Sequence, residues 1–166
     1  IVIVNQPLYN RGDQAAHKAL IRLLQTQPDI EVTVLSTEPV SALKEFADDI
    51  EGATYAAVPP FCKRMQKFFK KVMSMPSFAL KLVGCLPAIR RYNRILAEAD
   101  YVLCSPGGIC MGGYKNWVHI WNLANALAMG QRTGIYGRSI GPFYHQKKSD
   151  RIFAWRSRDI LNRVDY

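Results

Sequence analysis

The chain has 166 residues, of which 49% are hydrophobic and 21% charged, and its net charge is +9. This length and composition suit one globular domain, and no apolar run reaches the about 20 residues that a membrane span needs. The four cysteines form no C-x-x-C pair and have no histidine at zinc-site spacing, so no metal site or disulfide framework is predicted. The positive charge favours an anionic partner: a phosphate ester, an acidic sugar, nucleic acid or a membrane surface.

The chain begins with a strand–helix–strand unit. Residues 1–5 (IVIVN) are a β-branched run typical of a strand buried on both faces. Apolar residues at helical spacing predict a helix that Asp13 can cap and that ends at Pro28, because proline cannot continue a helix. Residues 31–36 (EVTVLS) alternate as a second strand. This order is the basic element of a parallel α/β sheet.

The same alternation continues to the end of the chain. A short helix is expected at 39–47 and a weak strand at 53–58, followed by a basic, aromatic segment at 61–83 that should be helical and interrupted near Pro76. The later helices are predicted at 86–97, 117–129 and 153–164, and the later strands at 101–105 and 133–136. Strands alternating with helices indicate an α/β fold, a Rossmann-like doubly wound parallel sheet.

Three of these strands run into distinctive loops. The loops are NQPLYNRGD (5–13), SPGGICMGGYKN (105–116) and GRSIGPFYHQ (137–146). Ligands of doubly wound sheets bind outside the carboxyl ends of the strands. We therefore expect the three loops to meet at one edge of the sheet and to form a positively charged hollow.

The first loop offers Asn10, Gly12 and Asp13. Gly12 is expected to adopt a turn conformation closed to other residues, or to permit close approach of the backbone. The free N–H groups of the next helix would face the crevice, where they could hold an anion or a sugar hydroxyl. Asp13 suits hydrogen bonding to a hydroxyl group or deprotonating one, and capping of the helix is its alternative role.

The second and third loops add backbone and charge. Gly107 and Gly108 begin a glycine-rich run that would let the backbone approach a ligand closely, and the next helix would aim its positive end there. Arg138 offers a fork for a carboxylate or phosphate, with a structural salt bridge as the alternative, and Ser139 lies beside it. His145 follows this loop and is the best placed of three scattered histidines.

Three segments resemble the polysaccharide pyruvyl transferase family in order, spacing and setting: NRGDQA (10–15), ADYVLCSPGGICMGG (99–113) and GIYGRSIGPF (134–143). The resemblance covers nearly the whole chain and matches the N-terminal half of the family. Arg138 stands where the family commonly has glutamine, and Pro106 where it more often has glycine. Members of the family are similar to two-domain GT-B glycosyltransferases, so this chain is expected to resemble one half of such an enzyme.

The resemblance implies a transferase of surface polysaccharide biosynthesis. Its donor substrate is phosphoenolpyruvate, whose pyruvyl group is transferred to a sugar hydroxyl as a ketal, with no metal or other cofactor. Residues 1–166 would be an N-terminal Rossmann-like domain that is inactive alone, because a C-terminal domain of the full-length protein holds much of the donor site. Asp13 is then the candidate catalytic base, and the candidate substrate-binding residues are Asn10, Gly12, Gly107, Gly108, Arg138, Ser139 and His145.

The expected acceptor is a sugar or a lipid-linked glycan, and the expected location is the cytoplasm or the inner face of the membrane. A basic amphipathic face at Phe61–Lys81 would suit contact with an anionic membrane. Two other functions remain open: a GT-B-type glycosyltransferase half that uses a nucleotide sugar, and a non-catalytic Rossmann-like module that binds an anion. Nucleic-acid binding is disfavoured, because the basic and aromatic residues interleave in one segment only and no recognised motif accompanies them.

Overall fold

The computed structural model describes residues 1–6, 11–36, 52–57, 63–75, 83–111 and 115–165. The strands are β1 (Val2–Val4), β2 (Val32–Ser36), β3 (Ala53–Ala57), β4 (Val102–Cys104), β5 (Gly107–Met111), β6 (Thr133–Ile135) and β7 (Arg138–Ile140). The helices are α1 (Arg11–Gln25), α2 (Lys63–Met73), α3 (Pro87–Ala97), α4 (Trp117–Ala128) and α5 (Lys148–Leu161).

Five strands form one parallel sheet in the order β3–β2–β1–β4–β6. The chain moves outward from β1 to β2 and β3, returns to the other side of β1 as β4, and moves outward again to β6. This confirms the predicted α/β fold with a Rossmann-like doubly wound sheet. The winding direction reverses between β1 and β4, and such a switch point is where doubly wound sheets hold their ligands.

The two faces of the sheet are covered by different helices. On one face, α1 packs Leu20 and Ile21 against the sheet residues Ile3 and Val34. The neighbours of Ile3 along β1, Val2 and Val4, belong to the core on the opposite face, as expected from the two-residue period of a strand. That second core is filled from all four later helices, so both faces of β1 are buried.

A group of aromatic side chains joins the helices of the second face. The ring of Phe69 in α2 stacks on Trp121 in α4 at a centroid distance of 4.2 Å. Tyr92 in α3 lies 5.7 Å from the same indole. Large aromatic side chains contribute much of the buried apolar area of a core. Helix α4 is therefore the central element of this layer, and α2 is held against it by its apolar side.

A second, two-stranded parallel sheet is formed by β5 and β7, with Gly107 paired to Arg138 and Met111 to Ile140. Both strands were predicted as loops, and that prediction was wrong. The strands are short, and β5 begins with two glycines, so neither carries an alternating apolar pattern that the sequence could reveal. The pairing instead depends on contact between distant segments, including the hydrogen bond from Gly107 N to Gly137 O of 3.3 Å.

The end of the chain also differs from its prediction. Helix α5 ends at Leu161, so Val164 lies beyond it and not inside it. The backbone N–H of Asp165 then donates to the carbonyl of Thr133 in β6, and the Thr133 N–H donates back to the Asp165 carboxylate, both at 2.8 Å. The helix predicted at 39–47 and the interruption near Pro76 lie outside the described residues. Within the described ranges, no helix is both long enough and apolar enough to cross a bilayer.

Candidate functional site

The carboxyl ends of β1 and β4 meet at the switch point of the sheet. Asn5 and Gln6 follow β1, Ser105 and Pro106 follow β4, and all four residues are buried. The Ser105 hydroxyl donates to the carbonyl of Asn5 at 3.1 Å, and the Ser105 N–H donates to the carbonyl of Val4 at 3.0 Å. Two of the three predicted loops are therefore joined directly by hydrogen bonds.

Asn5 is the centre of a buried polar network at this point. Its backbone is left-handed (φ 65°), a conformation that asparagine tolerates better than most residues. Its side-chain oxygen accepts from Asn122 Nδ2 at 2.7 Å, and its Nδ2 donates to the carbonyl of His119 at 3.0 Å. Both of these partners lie on α4, so Asn5 fixes the position of that helix relative to β1.

Arg138 brings the third loop to the same place. Its Nε donates to the carbonyl of Ser105 at 2.7 Å, and its Nη2 donates to the Ser105 hydroxyl at 3.1 Å and to the carbonyl of Asn5. The predicted fork for a ligand anion is thus directed largely at protein oxygens. The structural alternative considered for Arg138 was a salt bridge, and the acceptors found here are two carbonyls and a hydroxyl.

Asp13 and Gly107 lie against each other across the first two loops. Asp13 is in the first turn of α1, and a Cβ added to Gly107 would lie 2.6 Å from Asp13 Oδ1. Gly107 also has φ 134°, where side chains are rarely tolerated, so two independent reasons require glycine here. The second glycine, Gly108, continues into β5.

The prediction for Gly12 was wrong in its backbone conformation. Gly12 is the second residue of α1 and has helical geometry, and not the left-handed or otherwise special turn that was expected. The helix begins at Arg11, two residues before Asp13, the residue that was expected to cap it. Asn10, which precedes the helix, lies outside the described residues.

Ser139 and His145 are both exposed. Ser139 lines a cavity of about 470 Å³ together with Arg138, Gly137 and the end of α5. His145 makes no hydrogen bond, ion pair or ring contact with any described residue. Among the described residues, Asp13, Gly107 and Arg138 are thus brought to the switch point, Ser139 lies next to Arg138, and no contact joins His145 to them.

Two backbone N–H groups in the first turn of α4 are bonded to side chains of the protein. Gln66 of α2 accepts a hydrogen bond from the Trp117 N–H at 3.0 Å, and the Asn116 side chain caps the His119 N–H at 3.2 Å. Gln66 also donates to Asn116 at 2.9 Å. These side chains therefore satisfy two of the donors that a helix start leaves open, those of Trp117 and His119.

His119 is the residue at the site that the sequence did not single out. It lies in the first turn of α4 and, within the described part of the chain, its buried Nδ1 makes no hydrogen bond. Burial and the nearby positive charge of Arg138 lower its pKa to about 3. His119 is therefore a neutral imidazole near physiological pH, able to donate or accept a hydrogen bond.

Residues 63–75 of the basic segment that was expected to form an amphipathic surface are described by the structure. Phe69 and Met73 of α2 are fully buried, and Phe68 is half-buried against the same core. The charged residues of the helix that the structure describes, Lys67, Lys70 and Lys71, are exposed. The apolar side of α2 is thus used inside the protein, and the exposed side chains of this helix that the structure describes are lysines.

Other titratable groups do not build a second centre in the described residues. His17 of α1 is fully buried beside the ring of Tyr55, and burial lowers its pKa to about 4. No group of three histidine, cysteine or acidic side chains in the described ranges is placed to hold a metal ion. Comparison of the chain with protein-family models, with curated proteins and with solved structures finds no significant match.

Proposed function

We propose that the complete protein is a phosphoenolpyruvate-dependent pyruvyl transferase that acts on a sugar hydroxyl in surface polysaccharide biosynthesis, in the cytoplasm. One observation carries the proposal. The described parts of the three segments that resemble the pyruvyl transferase family are in contact, with Asp13 against Gly107 and Arg138 bonded to the ends of β1 and β4. These contacts lie at the switch point of the sheet, the usual ligand position of the fold.

The proposed reaction needs one base and a site that binds an anionic substrate. Two sugar hydroxyls form C–O bonds to C2 of phosphoenolpyruvate, the C2–O bond to phosphate breaks, and phosphate leaves. One hydroxyl proton ends on C3, which becomes a methyl group, and the other leaves with the phosphate. Asp13 is the group that orients and deprotonates the acceptor hydroxyl. Its position beside a glycine supports this role, because no side chain at 107 separates the carboxylate from the neighbouring strand.

The charge of the site suits a substrate with a phosphate and a carboxylate. The guanidinium of Arg138 is fixed at the ends of β1 and β4, in a chain whose net charge is +9. Such a field raises the local concentration of an anionic substrate. We include His119 as a substrate-positioning residue, because its neutral imidazole is near Arg138 and its Nδ1 has no partner among the described residues. The second domain implied by the family resemblance would supply the rest of the donor site.

The test is turnover by the complete protein with phosphoenolpyruvate and an oligosaccharide acceptor. Turnover is measured as the phosphate released, and the ketal product is identified by mass spectrometry. Asp13→Asn keeps the size of the side chain and removes the base, so kcat should fall at least tenfold, about 1.4 kcal/mol of barrier. Arg138→Ala should lower kcat/KM by at least the same factor. A matched control is Asp29→Asn, an exposed aspartate beyond the end of α1 that lines a cavity with residues at the amino-terminal side of the sheet.

Three results would decide against the proposal. Unchanged rates in both site variants would remove Asp13 and Arg138 from the mechanism. Turnover with nucleotide sugars but not with phosphoenolpyruvate would assign a glycosyltransferase. Binding of phosphoenolpyruvate without turnover by the complete protein would favour a non-catalytic anion-binding module.

A further inference from the structure

Helix α5 carries exposed cations around an exposed tryptophan. Lys148, Arg151, Trp155 and Arg158 follow one another at three- and four-residue spacing, which places them on one side of the helix. All four are exposed, and Trp155 is 57% exposed. At 1.5 Å per residue they extend over about 15 Å. We refer to these four residues as the α5 stripe.

Nothing on the same helix neutralises the α5 stripe. Its three cations make no hydrogen bond or ion pair with any described residue. The two carboxylates of the helix have other partners: Asp150 binds Lys115 at 2.5 Å, and Asp159 faces Arg163 at 3.6 Å. The stripe therefore presents positive charge that no described residue pairs.

The tryptophan of the stripe is held in place from the protein side. The guanidinium of Arg156 lies 4.2 Å from the ring centroid of Trp155. Arg156 is itself buried and donates to the carbonyls of Met73, the last residue of α2, and Met75, so it cannot easily move away. One contact orients the indole while more than half of it remains exposed.

We propose that the α5 stripe binds the surface of an anionic lipid bilayer. Cations near an anionic leaflet are attracted to its headgroups, and tryptophan prefers the boundary between headgroups and acyl chains. A convex helix side bearing both kinds of group can contact a flat surface along its whole length. The segment at Phe61–Lys81, which was expected to make this contact, has its central apolar residue, Phe69, stacked on Trp121.

Vesicle binding by the full chain tests the proposal, with phosphatidylcholine vesicles that contain or lack phosphatidylserine. The triple variant Lys148→Ala, Arg151→Ala, Arg158→Ala should bind the anionic vesicles about 100-fold more weakly, about fivefold per cation. The matched control, Lys67→Ala, Lys70→Ala, Lys71→Ala, removes the same charge from α2 and should weaken binding less than about fivefold. Equal or greater weakening in the control would overturn the assignment to α5.

The fluorescence of Trp155 gives an independent readout, because Trp117 and Trp121 are buried. Binding to anionic vesicles should shift its emission to shorter wavelength and protect it from acrylamide, and Trp155→Phe should abolish both changes. An indole that stays accessible to acrylamide on the vesicle would overturn the proposal. So would tighter binding to duplex DNA than to the vesicles at equal salt, since that would assign the stripe to nucleic acid. Circular dichroism of each variant checks that the fold is retained.

Discussion

Arg138 and Asn5 lie 133 positions apart, yet the guanidinium of Arg138 donates a hydrogen bond to the backbone carbonyl of Asn5. The same guanidinium reaches the carbonyl of Ser105, so one side chain on β7 joins the ends of β1 and β4. These two strand ends form the two sides of the switch point. The cation at the proposed site is therefore also part of what holds that site together.

The structural role of Arg138 predicts that lysine cannot replace it. Arg138→Lys keeps the charge but cannot make the set of bonds to Ser105 and Asn5, because only the guanidinium has a planar fork of donors. We expect a loss of about 2 kcal/mol in the free energy of unfolding, measured by urea denaturation. Ser139→Ala, at an exposed neighbour on the same strand, should change it by less than about 0.5 kcal/mol. A fully stable lysine variant would contradict this role.

Asn5 serves the fold through its backbone and its side chain separately. Asn5→Gly keeps the left-handed conformation available and removes the bonds to Asn122 and His119, which should cost about 1–2 kcal/mol. Asn5→Ala loses the same bonds and adds backbone strain, so it should be about 1 kcal/mol less stable than the glycine variant. Thermal or urea unfolding of the two variants gives this difference directly. Equal stability would show that the strain is relieved by local rearrangement.

Gly107 should resist substitution more strongly than another left-handed glycine. Gly107→Ala places a Cβ 2.6 Å from Asp13 Oδ1 at φ 134°, whereas Gly130→Ala meets nothing within 4 Å at φ 82°. Backbone strain alone predicts a cost of about 1–2 kcal/mol for Gly130→Ala, and Gly107→Ala should exceed it by about 1 kcal/mol or more. Urea unfolding measures both costs, and in the double variant with Asp13→Ala the excess cost of Gly107→Ala should largely vanish. An excess that persists in the double variant would show that contact with Asp13 is not its cause.

Buried His17 predicts a pH dependence of stability. Burial lowers its pKa from 6.5 to about 4, so between these values the unfolded chain binds a proton that the folded chain does not. Stability should therefore fall as the pH drops from 7 to 4.5, by about 2–3 kcal/mol from this residue. The low pKa of His119 acts in the same direction.

The measurement is urea unfolding at several pH values. His17→Gln should reduce the slope of stability against pH by about half, because His119 continues to contribute. His145→Gln removes an exposed histidine and is the matched control, which should leave the slope as it is. A slope unaffected by the His17 substitution would show that this imidazole is protonated or exposed to solvent in the folded state.

The proposed site was only partly predictable from the sequence. The loops after β1 and β4 and the residues Asp13, Gly107 and Arg138 were named from turn chemistry and the ligand position of doubly wound sheets. Their roles were less accessible: Arg138 was expected to bind a ligand anion or to form a salt bridge, and its bonds to two carbonyls of the protein were not predicted. His119 was passed over because nothing in its local sequence reports its proximity to Arg138.

The sequence by itself determined the alternation of strands and helices, the parallel sheet and the meeting of three loops at one edge. These follow from local periodicity and from turn residues, which act over a few positions. Only the tertiary structure decided that β5 and β7 pair, that the apolar side of α2 is used in the core, and that Asn5 links β1 to α4. Those features depend on register and distance between segments up to 133 positions apart, and no local pattern encodes them.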